Sequence, residues 1–220
     1  MRMPLEKDTH QAASVVAEGL LPAFSASLVA AGIYTLLPTG IALGPRWLLL
    51  AITPVMLLTL AVFRRRGSRH AAHIVGHIST AVMTTFIAYS LIFLVDGIFR
   101  GAVAAPVMLR ASGILWVMNV IVFALWYWRL DAGGPLARAA RGNHDSGCFL
   151  FPQMMLRKAD AHAWIPHFVD YLFLAFNTST AFSPTDTAIL SRWAKLLVMT
   201  QSIISLGLVV LVVSRAINII

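Results

Sequence analysis

The sequence predicts an all-α polytopic transmembrane helical bundle with about six membrane-embedded segments. Three observations carry that reading. First, 59% of the 220 residues are hydrophobic and only 12% are charged, with a mean hydropathy of +0.79; a soluble domain carries roughly 25% charge. Second, the apolar residues fall in runs of 17 or more, long enough for several membrane helices. Third, arginines collect in the loops. The net charge of +8 therefore points to positive charge sorted to the cytoplasm and to anionic lipid, and not to nucleic acid. A single cysteine, Cys148, excludes an intramolecular disulfide and a cysteine-based zinc cluster. No cofactor is expected.

Residues 1–18 read as a polar tail or surface helix, and no cleaved signal peptide is expected. The first apolar run is 20–37. Pro22 suits its first turn, and Ala23, Ser27 and Ala31 give a narrow face for close packing. A turn with Pro38, Gly40, Gly44 and Pro45 leads to the second run, 47–63, which Pro54 should bend. Arg64, Arg65, Arg66 and Arg69 then mark a cytoplasmic loop.

The third run is 71–99. His73, His77, Thr80 and Thr84 share one stripe of it. The HIVGH motif has metal-ligand spacing but lacks the glutamate that follows the first histidine in zinc proteases. The stripe is expected to face another helix or an aqueous crevice. Asp96 and Arg100, four apart, suggest a local ion pair. In the fourth run, 107–128, Ser112, Trp116 and Asn119 share a face. Asn119, near mid-membrane, needs a partner across a helix interface. Trp126, Tyr127 and Trp128 read as an interfacial aromatic belt.

Residues 130–166 form the one long polar connection, opened by a turn at Gly133, Gly134 and Pro135. An apolar patch inside it, FLFPQMM at 149–155, should lie on the membrane surface or under the bundle. The organisation is thus a four-helix membrane region at 1–128, a polar connecting loop at 129–163 and a channel-like terminal helical hairpin at 164–220. With the arginine loop inside, residues 164–182 cross outward and 196–214 cross back, giving six segments with both termini inside. A re-entrant 164–182 entered from outside would put the arginine loop outside.

In the terminal region Asp170, Leu174, Asn177 and Ala181 share one face, and Gln201 and Ser205 share another with Ser202. Asp170 is either a functional acid at membrane depth or a group reaching the interface. Ser183, Pro184, Thr185 and Asp186 have the order of a helix start, with Ser183 as N-cap.

The stretch TSTAFSPTD, 178–186, resembles the potassium-channel filter stretch TxTTVGYGD in layout. Thr178 and Thr180 match threonines, and Asp186 matches the acid. Ser183, Pro184 and Thr185 stand where that family has Gly-Tyr-Gly. Glycines permit the backbone of a carbonyl filter and proline does not, so a potassium-selective cage is not expected. The segments GPRWLLL, NVIVFALWYWRLDAGGP, FLFPQ and FVDYLFLAFNTSTAFSPTDTAILSRWAKLL resemble a family of uncharacterised bacterial integral membrane proteins. That resemblance implies a multi-helix, multi-pass inner (plasma) membrane protein; its members carry an acid where this chain has Arg129.

Two functions follow as expectations. One is a homo-oligomeric, cation-permeable pore for monovalent cations, with Asn177, Thr178, Thr180, Ser183, Pro184, Thr185 and Asp186 near its mouth. The other is a non-conducting scaffold or small-molecule carrier using the stripe from His77 to Thr84 and Asn119, although no repeat of the carrier type is visible. No nucleophile–base pair, metal cluster or phosphate loop points to an enzyme.

Overall fold

The computed structural model describes residues 21–100, 104–141, 147–155, 164–183 and 186–217. The expected tail at 1–18, and Pro184 and Thr185, lie outside the described residues. Seven α-helices make up the described chain: α1 (Leu21–Tyr34), α2 (Leu48–Arg65), α3 (Arg69–Phe99), α4 (Ala105–Leu130), α5 (Pro135–Arg141), α6 (Phe168–Ala181) and α7 (Arg192–Ile217). Two short strands, β1 (Phe149–Leu150) and β2 (Ala188–Ile189), pair antiparallel with Phe149 opposite Ile189.

The all-α class is as expected, and four of the helices have the length and apolarity of membrane spans. Helices α2, α3, α4 and α7 are long and apolar enough to cross a membrane. The described part of α1 and the whole of α6 are 14 residues each. At 1.5 Å per residue each reaches about 21 Å, short of a hydrocarbon core about 30 Å thick. Among the described residues, four helices therefore have spanning length.

Helix α4 is the axis of the bundle, packed by α1, α3, α6 and α7. Its residues from Met118 to Leu125 are all buried, with no polar face left over. This overturns the expected aromatic belt. Tyr127 and Trp128 are buried in the core, and Trp126 donates its indole N–H to Thr84 Oγ1 at 2.9 Å. A helix apolar all round is an interior helix, and aromatic rings at its end fill the core instead of marking an interface.

The small face of α1 does pack closely, with Ala23, Ser27, Ala30 and Ala31 all buried. It ends at Tyr34, whose hydroxyl contacts Ser90 Oγ at 3.2 Å and accepts from Leu43 N at 2.6 Å. That one phenol ties the 35–47 turn to the far end of α3. Helix α2 runs unbroken through Pro54. Asp96 and Arg100 form the expected ion pair, at 2.8 Å.

The connection after α4 is better built than its polarity suggests. Ala132, Gly133 and Gly134 all have positive φ and turn the chain sharply into α5. Phe149 and Phe151 bury beneath the end of α4, against Tyr127 and Tyr171. Arg64–Arg69, the end of α4, α5 and the two strands thus share one end of the bundle, called here the basic end.

Candidate functional site

Helix α6 enters the bundle at the basic end. His167 and Asp170 form a capping box at its start, with Asp170 Oδ2 accepting from His167 N at 2.7 Å. Asp170 is therefore a helix-start residue whose carboxylate is committed to the capping box. One turn in, Tyr171 donates to Asp131 Oδ2 at 2.6 Å, level with the end of α4. Phe176 then meets Trp116 in mid-α4, with ring centroids 6.2 Å apart. The helix stops at Ala181, capped by Phe182 in the left-handed region at φ 54°. By Ala188 the chain is back at the basic end, because β2 pairs with β1 and Phe149 of β1 packs on Tyr127 and Tyr171.

Segment 164–189 thus goes in and comes out at the same end. It does not run from end to end, as the expected outward crossing of 164–182 requires. In consequence α7 leaves from the basic end and finishes at the opposite one.

The expected helix start at Ser183 is also corrected. Asp186 and Thr187 lie in a turn and bend, and Ala188 and Ile189 are extended, so no helix runs on from Pro184. The next helix begins at Arg192, with Ser191 as its cap; Ala194 N donates to Ser191 Oγ at 3.3 Å. The Ser-Pro-Thr-Asp order satisfied a local rule, but the chain at Ala188 and Ile189 is extended and paired with β1.

Helices α4, α6 and α7 meet along a polar seam. Gln201 is its hub. Its amide N–H groups donate to Ala175 O and Ser179 Oγ, both at 2.8 Å, and its carbonyl oxygen accepts from the Tyr127 hydroxyl. Asn119 Nδ2 donates to Ser205 Oγ at 2.8 Å, and Ser205 Oγ contacts Ser179 Oγ at 2.9 Å. All five side chains are buried. On the same face of α4, Ser112 Oγ, Trp116 Nε1 and Asn119 Oδ1 have no partner among the described residues. Gln201, Ser205 and Asn119 were legible from the sequence as polar residues in apolar helices. Ser179 and Tyr127 were missed, one hidden in a polar run and the other in an aromatic cluster.

Of the filter-like residues, Thr178 is buried and bonded to its own helix, with Oγ1 donating to Leu174 O at 2.8 Å. Asn177 is half-buried, whereas Thr180, Ser183 and Asp186 are exposed. Thr180 Oγ1 donates back to Phe176 O at 3.0 Å.

A second cluster closes the basic end, and the sequence reading missed it. Arg138 of α5 is buried and donates to Trp128 O at 3.0 Å and Asp131 O at 2.7 Å. It caps two carbonyls left over at the end of α4. Its guanidinium lies over the Tyr171 ring at 5.1 Å. Asp131 is fully buried and accepts from Cys148 N at 2.5 Å as well as from Tyr171. The sequence offered only an Asp before Gly-Gly-Pro, which reads as ordinary turn chemistry.

The histidine stripe packs on the last third of α4. His73 and His77 stack at 5.7 Å, and His77 Nδ1 bonds to His73 O at 2.8 Å. Thr80 is buried, and Thr84 receives the Trp126 N–H. Among the described residues no three His, Cys, Asp or Glu side chains gather as metal ligands.

Comparison with known proteins finds no match to this chain, whether among protein-family models, curated proteins or solved structures.

Proposed function

We propose that the chain is a multi-pass protein of a bacterial inner (plasma) membrane, and that several copies meet at their in-and-out hairpins to enclose a cation pathway. The observation that carries this is exposed, non-helical chain at the inner end of α6. Residues 180–183, at the inner end of α6, are all exposed, with Phe182 and Ser183 past the helix end. Helix α6 also leaves Phe173 and Phe176 uncovered. Irregular backbone facing hydrocarbon leaves polar groups unsatisfied, at a cost of several kcal/mol each. At membrane depth such a turn is stable only against protein or water. A second copy supplies the first, and a pathway between copies supplies the second.

Sidedness supports the same arrangement. Arg64, Arg65, Arg66, Arg69, Arg138, Arg192 and Lys195 gather at the basic end, which the positive-inside rule makes cytoplasmic. The hairpin then enters from the cytoplasm, with no conflict between a re-entrant segment and the charge rule. Thr180, Ser183 and Asp186, repeated around an axis, would offer hydroxyls and a ring of carboxylates to a partly dehydrated monovalent cation. Pro184 and Thr185 lie outside the described residues.

A non-conducting scaffold is the second reading. It is favoured by the seam, where the polar faces of α4, α6 and α7 bond to one another and not to water.

Two measurements separate these. In a Cys148→Ala background, Ser183→Cys should cross-link between copies in native membranes. Purified protein in planar bilayers should carry a cation-selective current whose selectivity weakens in Asp186→Asn. Cross-linking without current leaves the scaffold. No cross-linking from folded protein removes the oligomeric hairpin altogether.

A further inference from the structure

Helix α4 carries a buried cation that the chain leaves open. Arg129 is only 6% exposed. Its Nε has no hydrogen-bond partner, and among the described residues its guanidinium meets no carboxylate within ion-pair distance. The guanidinium lies over the face of Trp128, 5.6 Å away. A buried guanidinium without an anion is costly, because desolvation is not repaid.

The chain has nonetheless made room for it. Gly76 on α3 lies against the guanidinium so closely that a Cβ there would sit 2.2 Å from Nη1 and 3.2 Å from Cζ. Any side chain at that position would displace Arg129. Gly134, at φ +87°, similarly lets the turn after α4 approach His73; a Cβ there would sit 3.0 Å from its ring.

Arg129 faces a cavity of about 30 Å³ shared with Arg64, His73 and His77, room for one or two water-sized atoms. No acidic side chain among the described residues lines it. His73 and His77 also line an adjoining open groove of about 610 Å³, together with Arg69, His70, Ile74 and Ile78. Ile74 and Ile78 are 45% and 47% exposed. The site is therefore basic within, basic at its mouth and apolar along one flank.

We propose that this cavity and groove bind a phosphate group, with an oxygen seated against the Arg129 guanidinium and the rest of the group among His73, His77 and Arg69. A planar guanidinium presents paired N–H donors that suit phosphate oxygens. The exposed isoleucines beside the groove give acyl chains a place to lie, so an anionic phospholipid headgroup fits better than free phosphate. Basic pockets between helices on the cytoplasmic side are a recurrent form of headgroup recognition. The site stands on α3 and α4, away from the hairpin, and its existence is independent of any conduction.

The test uses the full chain, delipidated in an uncharged detergent. The probes are a short-chain phosphatidylglycerol, the corresponding phosphatidylcholine, and inorganic phosphate. Binding is followed by the shift in unfolding temperature and, independently of stability, by lipid adducts in native mass spectrometry. Saturable binding of phosphatidylglycerol is expected, weakened at least tenfold in Arg129→Met and in Gly76→Ala, and unchanged in the loop variant Arg66→Gln. Gly76→Ala keeps the charge and fills the cradle, so it tests the site even if Arg129→Met folds poorly. Binding of phosphatidylglycerol without inorganic phosphate assigns the site to lipid; equal binding of both assigns it to a free anion. Absence of saturable binding by the folded wild type would overturn the proposal. So would an equal loss in Arg66→Gln, which would mark nonspecific attraction to a basic surface.

Discussion

Arg129 and Asp131 stand two residues apart at the end of α4, both buried and oppositely provided for. Asp131 accepts hydrogen bonds from Cys148 N and Tyr171 Oη, and its own carbonyl is held by Arg138. Around it, α4, α5, β1 and α6 are drawn to one point. Arg129 has a glycine cradle, a tryptophan face and a small cavity, but no described anion. Burial alone therefore does not tell what a charge is for. A buried charge whose partners lie within the chain holds the fold together. One whose surroundings are shaped for it, yet leave it unpaired, is shaped for something that arrives later.

Three substitutions sharpen or break that contrast, each read as unfolding free energy in uncharged detergent. The largest effect is expected for Asp131→Ala. It strands the Cys148 N–H and the Tyr171 hydroxyl in the interior, for a loss of about 2–5 kcal/mol. A loss below about 1 kcal/mol would show that the cluster does not organise the basic end. Gln201→Leu comes next. It empties the hub of the seam and leaves Tyr127 and Ser179 short of partners. The expected cost is about 1–3 kcal/mol, since hydrogen bonds between membrane helices are individually weak. A neutral result would mean that packing alone holds α6 against α7. The smallest effect is expected for Arg129→Met in protein stripped of anionic lipid. Removing an unpaired buried charge while keeping an apolar stem should change stability by between zero and a gain of about 1 kcal/mol. A loss above about 2 kcal/mol would reveal a partner within the chain and erase the contrast with Asp131.

Fold class was readable because apolar runs and low charge are properties of composition, and no packing detail alters them. The close face of α1 and the polar positions Asn119, Gln201 and Ser205 were readable because a small or polar residue in an apolar helix stands out against its neighbours. The helix expected from Ser183 misled because capping rules are local, whereas the chain at Ala188 obeys a partner at Leu150 that lies 38 positions earlier.

The course of α6 misled for a related reason. An apolar segment about as long as 164–182 is compatible with crossing or with turning back. Only the pairing of β2 with β1, and the contact of Phe176 with Trp116, decide between them. Arg129, Asp131 and Arg138 look alike in a loop-like, basic stretch. Whether each is capped, paired or left open depends on Gly76, Tyr171 and Cys148, which are distant in the chain and carry no mark of their role.

By itself, then, the sequence determined that the chain is a bundle of apolar helices with positive charge gathered into its loops, because hydrophobicity and charge act residue by residue. Tertiary structure alone decided which apolar segment turns back, which polar groups bond to one another, and which buried cation is left facing a cavity. Those outcomes are set by pairings between residues far apart in the chain, and no single stretch of sequence holds both halves of a pair.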